Sequence, residues 1–247
     1  MANKELIYGL HAVQSLLENN AHAVCRIWLQ DGRRDKRLNQ LLEQLREQDV
    51  QVQVQSRRAL DDLVDGRRHQ GVVAEVLLPE PATEQGLEGL LETLDEPPFL
   101  LILDGVQDPH NLGACLRSAA AAGVHAVIIP KDRAVGLTSV VRKVASGAAE
   151  VVPLYLVSNL ARTLRQLQER GIWLYGAAGE ADKSVYQVDL KGSIAIVMGG
   201  EGKGLRRLTR EHCDVLMHIP MTTAVESLNV SVAAGVLLFE ANRQRLP

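Results

Sequence analysis

Aromatic residues are scarce in this chain: two tryptophans, four tyrosines and two phenylalanines among 247 residues. That scarcity argues against an exposed aromatic platform, on which nucleic-acid bases stack, as the main mode of binding. Cysteine is scarce too. Cys25, Cys115 and Cys213 are odd in number, far apart and without a C-x-x-C pair, which argues against a disulfide framework or a zinc site and leaves reduced, buried thiols as the expectation. The histidines show no ligand-like spacing, and the consecutive His212-Cys213-Asp214 do not readily converge on one ion, so no metal is expected. No apolar run approaches the roughly 18 residues of a membrane helix. The N-terminal stretch, with Lys4, Glu5 and Glu18, lacks the apolar core of a secretory signal. A cytoplasmic protein with no membrane association is expected.

What is present is an ordinary globular composition, 46% hydrophobic and 23% charged, in a chain long enough for one large domain or two small ones. The formal net charge of -3 hides an uneven distribution. Residues 1–78 hold eleven basic and eleven acidic residues, whereas Pro79 to Pro98 hold six acidic and no basic ones. The remainder holds sixteen basic against thirteen acidic residues, so the whole acidic excess sits in one short segment. Arg33-Arg34-x-Lys36-Arg37, Arg57-Arg58, Arg67-Arg68 and Arg206-Arg207 are thereby left as candidate phosphate contacts, with a solvated surface as the plain alternative for each.

The acidic segment carries Pro79, Pro81, Pro97 and Pro98 around a weakly periodic leucine-rich stretch, which predicts a linker with one or two helical turns. Before it, the pattern predicts a helix over Tyr8 to Leu17, an extended Val24 to Leu29, a helix over Arg37 to Gln48, and strands over Val50 to Val54 and Gly71 to Leu78. That is a small α/β domain. After it, apolar runs at 99–103, 126–129, 151–156, 172–177, 194–198 and 215–219 alternate with helical stretches such as Asn159 to Arg170, as buried parallel strands do. The division expected is 1–78, a linker at 79–98, and 99–247.

In an open parallel sheet, ligands bind beyond the C-terminal ends of strands, which directs attention to three loops. The first, 104–113, brings Asn111 to a helix start and Arg117 one turn after Gly113, so the arginine stem can lie over the bare glycine. An N-cap for Asn111 and a surface charge for Arg117 remain the bland alternatives. The second, Gly199-Gly-Glu-Gly-Lys-Gly204, lets a ligand approach backbone N–H groups. It is neither a Walker A loop nor a G-x-G-x-x-G fingerprint, which sets aside a nucleotide or nicotinamide enzyme. A tight strand-to-helix turn would need the same glycines. The third, 220–229, offers Ser227 and Asn229 as polar contacts or helix caps, and Ile219, Met221 and Leu228 as apolar contacts to a flat heterocycle.

Asp108-Pro-His-Asn-Leu-Gly-Ala-Cys-Leu-Arg117, Val197-Met-Gly-Gly-Glu-Gly-Lys-Gly-Leu-Arg206, and Ile219-Pro-Met with Ser227-Leu-Asn-Val-Ser-Val-Ala233 together resemble the three motifs of the SpoU (TrmH-like) RNA ribose 2'-O-methyltransferases. The resemblance runs from Phe99 to Arg245. Ile7-Tyr-Gly-Leu-His-Ala-Val13 and His69-Gln-Gly71 are similar to that family's ribosomal-protein-like substrate-binding domain. What the resemblance implies is a SPOUT-type, trefoil-knotted α/β methyltransferase domain acting as a homodimer, with S-adenosylmethionine in the knot. Such threading is too rare to be inferred from periodicity. It implies cofactor contacts at Gly199, Ile219 and Leu228, to which Met221 and Gly204 are added from their loops. The catalytic group it implies is Asn111, Arg117, Glu201, Ser227 and Asn229. The branch it most resembles methylates a guanosine ribose in the peptidyl-transferase P loop of 23S ribosomal RNA. Transfer RNA methylation and noncatalytic RNA binding are the competing expectations; the appended N-terminal domain weighs against the first and the intact polar constellation against the second.

Overall fold

The computed structural model describes residues 3–32, 50–78, 82–202, 204–222 and 225–246. Two compact units emerge, one of residues 1–80 with 137–151 and one of 81–136 with 152–247. The expected Arg37 to Gln48 helix and the Arg33 to Arg37 cluster lie outside the described residues.

The first unit is built on a four-stranded sheet in the order β1-β4-β2-β3. Strands β1 (Asn3–Tyr8) and β2 (Val24–Gln30) run antiparallel to β4 (Val72–Leu78), and β3 (Gln51–Gln55) runs parallel to β2. Val72, Ala74 and Val76 face Val13, Leu16 and Leu17 of helix α1 (Leu10–Asn20). Val73 faces the other way, against Tyr8, Trp28, Leu60 and Val64. Both faces of β4 are therefore covered over Val72, Val73 and Ala74, which is why that stretch is continuously apolar rather than alternating. The helix predicted from Tyr8 starts at Leu10 instead. Gly9 takes φ 99°, outside helical space, and Tyr8 stays in β1, a strand the pattern did not announce.

His69-Gln70-Gly71 has a structural job here. The Leu10 amide donates to Gln70 Oε1 at 3.1 Å, satisfying an orphan N–H at the start of α1, and the Gly71 amide donates to His69 Nδ1 at 3.0 Å. Helix α2 (Arg57–Leu63) is capped by Ser56, whose Oγ accepts from the Ala59 amide at 3.2 Å. Residues 137–151 also belong to this unit and form helices α5 (Ser139–Ala145) and α6 (Ala148–Val151). Arg142 is buried there, paired with Glu150 and, at 3.7 Å, with Glu5.

The second unit holds a seven-stranded sheet in the order β7-β6-β5-β10-β8-β11-β9, and every pairing in it is parallel. Its strands are β5 (Phe99–Asp104), β6 (Ala126–Pro130), β7 (Leu154–Val157), β8 (Trp173–Ala177), β9 (Lys183–Ser184), β10 (Ile194–Gly199) and β11 (Val215–His218). All six apolar runs become strands. The run at 151–156 starts its strand later than expected, because Val151 ends α6 and Pro153 precedes the ladder. Every residue of β5 and β10 is buried, as central strands covered on both faces require. The remaining helices are α3 (Glu84–Thr93), α4 (Pro109–Ala121), α7 (Leu160–Glu169), α8 (Arg207–His212) and α9 (Val230–Arg245).

The acidic segment departs from the expected linker. Its residues 84–93 form α3, and Leu87 enters the core cluster with Leu100, Ile128, Tyr155 and Leu164. Glu84 Oε1 accepts from the Ser158 amide at 2.9 Å, and Arg162 donates to Glu84 Oε2 at 2.6 Å. Burial works to raise the Glu84 carboxyl, but these hydrogen bonds and the Arg162 charge hold it below the usual range. Amphipathic packing thus overrides a proline-flanked, charge-rich composition. Replacing Leu87 by alanine is expected to cost about 2–5 kcal/mol. Chemical denaturation checks this, and a cost under about 0.5 kcal/mol, the range of an ordinary surface substitution, would show that α3 is only a tether.

Candidate active site

Because the sheet is parallel, the loops after β5, β8, β10 and β11 emerge at one edge. Gly199, the last residue of β10, is paired in register with Asp104, the last of β5. A Cβ on Gly199 would overlap the backbone of Gly204 and Leu205, and one on Gly200 would lie 2.7 Å from the Gly105 carbonyl oxygen. A bridge between Gly200 and Gly204 closes the loop on itself. These glycines are required by chain packing against chain, and the same packing forms a bare backbone cradle. Lys203, within this loop, lies outside the described residues.

Asp104 is the residue that sequence reasoning passed over. Its buried carboxylate accepts from Arg206 Nε at 2.6 Å and from Thr209 Oγ1 at 2.5 Å, so it fastens both the end of the glycine loop and helix α8 to β5. Hydrogen bonding to Asp104 raises the Arg206 guanidinium further above its already high value. Arg206 thus has an internal partner although its side chain is half-exposed, and Arg207, which lies 3.5 Å from Glu211, is the more exposed member of the Arg206-Arg207 pair. Its signal was an aspartate ending an otherwise wholly apolar strand.

A polar chain crosses the site. Asn111 Nδ2 donates to Glu201 Oε1, and Asn229 Nδ2 donates to Asn111 Oδ1 at 2.9 Å. Asn229 Oδ1 accepts from the Ser231 amide at 2.9 Å and the Val232 amide at 3.4 Å, which caps α9. Asn229 is thus both cap and link. Asn111 is not a cap: Asp108 takes that place, accepting from the His110 amide at 2.8 Å, with Pro109 opening α4.

These groups border a cavity of about 570 Å³, within the range of small-molecule and cofactor sites. Gly199, Gly204, Ile219, Met221 and Leu228 all line it, as do Glu201, Ser227 and Asn229. Asn111 reaches it only through its bonds to Glu201 and Asn229. Arg117 is solvent-exposed and is not part of the lining, so the structure does not bring it to the cavity as the helix geometry had suggested. The loop after β8 contributes Ala178 and Glu180, and β11 contributes His218, none of which had been singled out. The strand-end rule applied to β8 would have found the first two. His218 Nδ1 is buried without a hydrogen-bond partner among the described residues.

Among the described lining residues the charged side chains are Glu201, Glu226 and Glu180, the last paired with Arg210 behind the wall, and none is a lysine or arginine. An acidic wall with a glycine cradle and apolar Ile219, Met221 and Leu228 fits a cationic ligand that carries a flat heterocycle, as a sulfonium nucleoside does. Among the described residues no group of three His, Cys, Asp or Glu side chains is placed to hold a metal. Cys115 is buried and Cys213 partly so, and burial, the largest cause for each, pushes both thiols up to about 12. Cys25, like Cys213, is only partly buried, which qualifies the expectation of buried thiols.

Replacing Gly199 by alanine forces the Gly204 backbone out of the cradle. Calorimetric titration is expected to show S-adenosylmethionine affinity falling by at least about tenfold, the equivalent of about 1.4 kcal/mol. Unchanged affinity would remove the cradle from ligand binding.

Residues 98–239 match the model of the SpoU rRNA Methylase family, and residues 6–82 match that described as RNA 2'-O ribose methyltransferase substrate binding. A protein of Pseudomonas putida named 23S rRNA (guanosine-2'-O-)-methyltransferase RlmB is 58% identical over 245 residues, covering 99% of this chain and 98% of its own length. The protein of the same name from Escherichia coli is 57% identical over 241 residues, covering 98% of this chain and 99% of its own length. The crystal structure of the SpoU methyltransferase AviRb from Streptomyces viridochromogenes, in complex with the cofactor AdoMet, superposes with a TM-score of 0.81 over 98% of this chain and 91% of that one. At 24% identity this last likeness concerns the fold. The second and third motif loops line one cavity, the first is tied to it through Asn111, and the family match spans more than half of the sequence: the chain belongs to the SpoU family of RNA ribose methyltransferases.

Proposed function

We propose that this protein transfers the methyl group of S-adenosylmethionine to the 2'-hydroxyl of a guanosine ribose in 23S ribosomal RNA, with the peptidyl-transferase P loop as its target. The names of full-length relatives at 57–58% identity support the substrate. The observation that carries the chemistry is the Glu201–Asn111–Asn229 hydrogen-bond chain at the cavity wall. Residues 1–78 serve in RNA recognition, in keeping with the substrate-binding family model. Arg57, Arg58, Arg67 and Arg68 are exposed there, although Arg57 is within 3.8 Å of Asp61. Exposed Val232 and Phe239, seven residues apart on one face of α9, support a homodimer interface. Among the described residues no helix is long and apolar enough to cross a membrane; a ribosomal RNA substrate supports a cytoplasmic location. The trefoil threading comes with the family, and the seating of β10 between β5 and β8, with Gly200 against Gly105, supports it.

When bound, S-adenosylmethionine supplies an electrophilic methyl group on sulfur. Displacement requires oxygen, methyl and sulfur in line, with reacting atoms about 3–3.5 Å apart, so the residues of this chain work chiefly by positioning. The backbone at Gly199 and Gly204, with Ile219, Met221 and Leu228, holds the nucleoside part. Ser227 and Asn229 position the ribose, while Asn111 and Glu201 fix each other. A guanidinium has five N–H donors and no acceptor, so in this reading Arg117 does not take the hydroxyl proton, which passes to water. Its exposed guanidinium binds the adjacent phosphate and stabilises negative charge growing on the ribose oxygen.

Transfer of tritiated methyl to 23S ribosomal RNA fragments, followed by mapping of the modified nucleotide, tests this reading. Methylation of transfer RNA instead, or of no RNA, would overturn it. Arg117→Ala is expected to lower turnover by at least about 100-fold while leaving cofactor affinity within about twofold, because it acts on developing charge. Full methylation by that variant would remove Arg117 from the mechanism.

A further inference from the structure

The loop after β6 carries Lys131, Asp132 and Arg133, all solvent-exposed, and none of these side chains makes a hydrogen bond or ion pair with the described residues. Exposed basic side chains are common, but this loop is unusually constrained. The Lys131 amide donates to the Val157 carbonyl at 2.8 Å, and the Val135 amide donates to the Val106 carbonyl at 3.1 Å. Between these anchors Arg133 adopts φ 61°, a left-handed conformation that residues with a Cβ seldom occupy. No side-chain bond of Arg133 accounts for that conformation, and strained backbone of this kind gathers at functional positions.

Its place relative to the cavity gives the loop a use. The Arg133 carbonyl oxygen lies 3.9 Å from where a Gly105 Cβ would stand, and the Gly105 carbonyl lies 2.7 Å from where a Gly200 Cβ would stand. Gly200 lines the cavity. One residue therefore separates the Arg133 backbone from the cavity wall, so Arg133 stands beside the loop that delivers Asn111, and Lys131 lies two residues before it, anchored to the end of β7. The described walls of the cavity carry carboxylates and no lysine or arginine, so they repel phosphate. An RNA strand whose ribose enters the site needs cations just outside it.

We propose that Lys131 and Arg133 grip the RNA backbone phosphates flanking the target ribose, with the constrained loop setting the register of the strand over the cavity. Phosphate contacts of this kind position a strand without reading its sequence. The proposal rests on RNA being the substrate. Asp132 faces solvent between the two cations and weakens their field, so the contacts depend on the long side chains reaching past it.

The test is binding of a 23S ribosomal RNA fragment across a salt series, with Lys131→Ala, Arg133→Gly and Arg133→Lys. Arg133→Gly removes the charge while accommodating the left-handed backbone, so loss of the cation is separated from strain. In Lys131→Ala and Arg133→Gly the slope of log affinity against log salt is expected to fall by about 0.7–1 for each lost contact. Affinity at low salt drops by about tenfold, as for loss of a charge-assisted hydrogen bond, while S-adenosylmethionine affinity stays unchanged. Arg133→Lys keeps the wild-type slope. Wild-type slopes in both Lys131→Ala and Arg133→Gly would overturn the proposal while leaving the RNA substrate intact. A wild-type protein that neither binds nor methylates the fragment would instead overturn the substrate reading.

Discussion

The carboxylate of Asp104 ends the central strand β5, and it must be paired because an unpartnered charge at that depth is prohibitively costly. Its partners, Arg206 and Thr209, lie about a hundred residues later, just beyond the glycine loop. Satisfying that one group pulls the chain after β10 back over β5 and presses Gly199 against Gly204 and Gly200 against Gly105. The cradle, the placement of Glu201 opposite Asn111 and the shape of the cavity all follow from this closure. The pair is partly wet on the Arg206 side, so its value lies in specifying one loop geometry more than in raw stability.

Charge is divided in a way that suits a cationic cofactor and an anionic substrate. Acidic groups occur on the cavity wall at Glu201, Glu226 and the Arg210-paired Glu180, and basic groups without an ion-pair partner among the described residues stand outside it at Arg117, Lys131 and Arg133. The net charge of -3 conveys none of this, because much of the acidic excess sits on α3, where Glu84 is consumed by Ser158 and Arg162. Local arrangement, and not the total, decides what each surface attracts.

Much of the fold was legible because buried parallel strands have little choice but continuous apolar sequence, and each of the six runs formed one. The residues lining the cavity were legible because ligands collect at strand ends and bare backbone needs glycine. What escaped depended on contacts distant in sequence. Asp104 and its partners, His218, and the packing of Leu87 leave no local periodicity, and β1 is a short mixed stretch whose pairing with β4 spans the whole first unit. Gln70 capping α1 from sixty residues away is another such case. Arg117 marks another limit: helical spacing sets its place on α4, but spacing alone does not say whether a side chain lines a cavity or stands outside it, as Arg117 does.

If the Asp104 closure organises the site, Asp104→Asn should keep the fold and lose the cradle. Titration calorimetry of that variant with S-adenosylmethionine, alongside far-UV circular dichroism, measures this directly. The account predicts native secondary structure with cofactor affinity reduced by at least about tenfold, or about 1.4 kcal/mol. Wild-type affinity in a folded Asp104→Asn protein would contradict it.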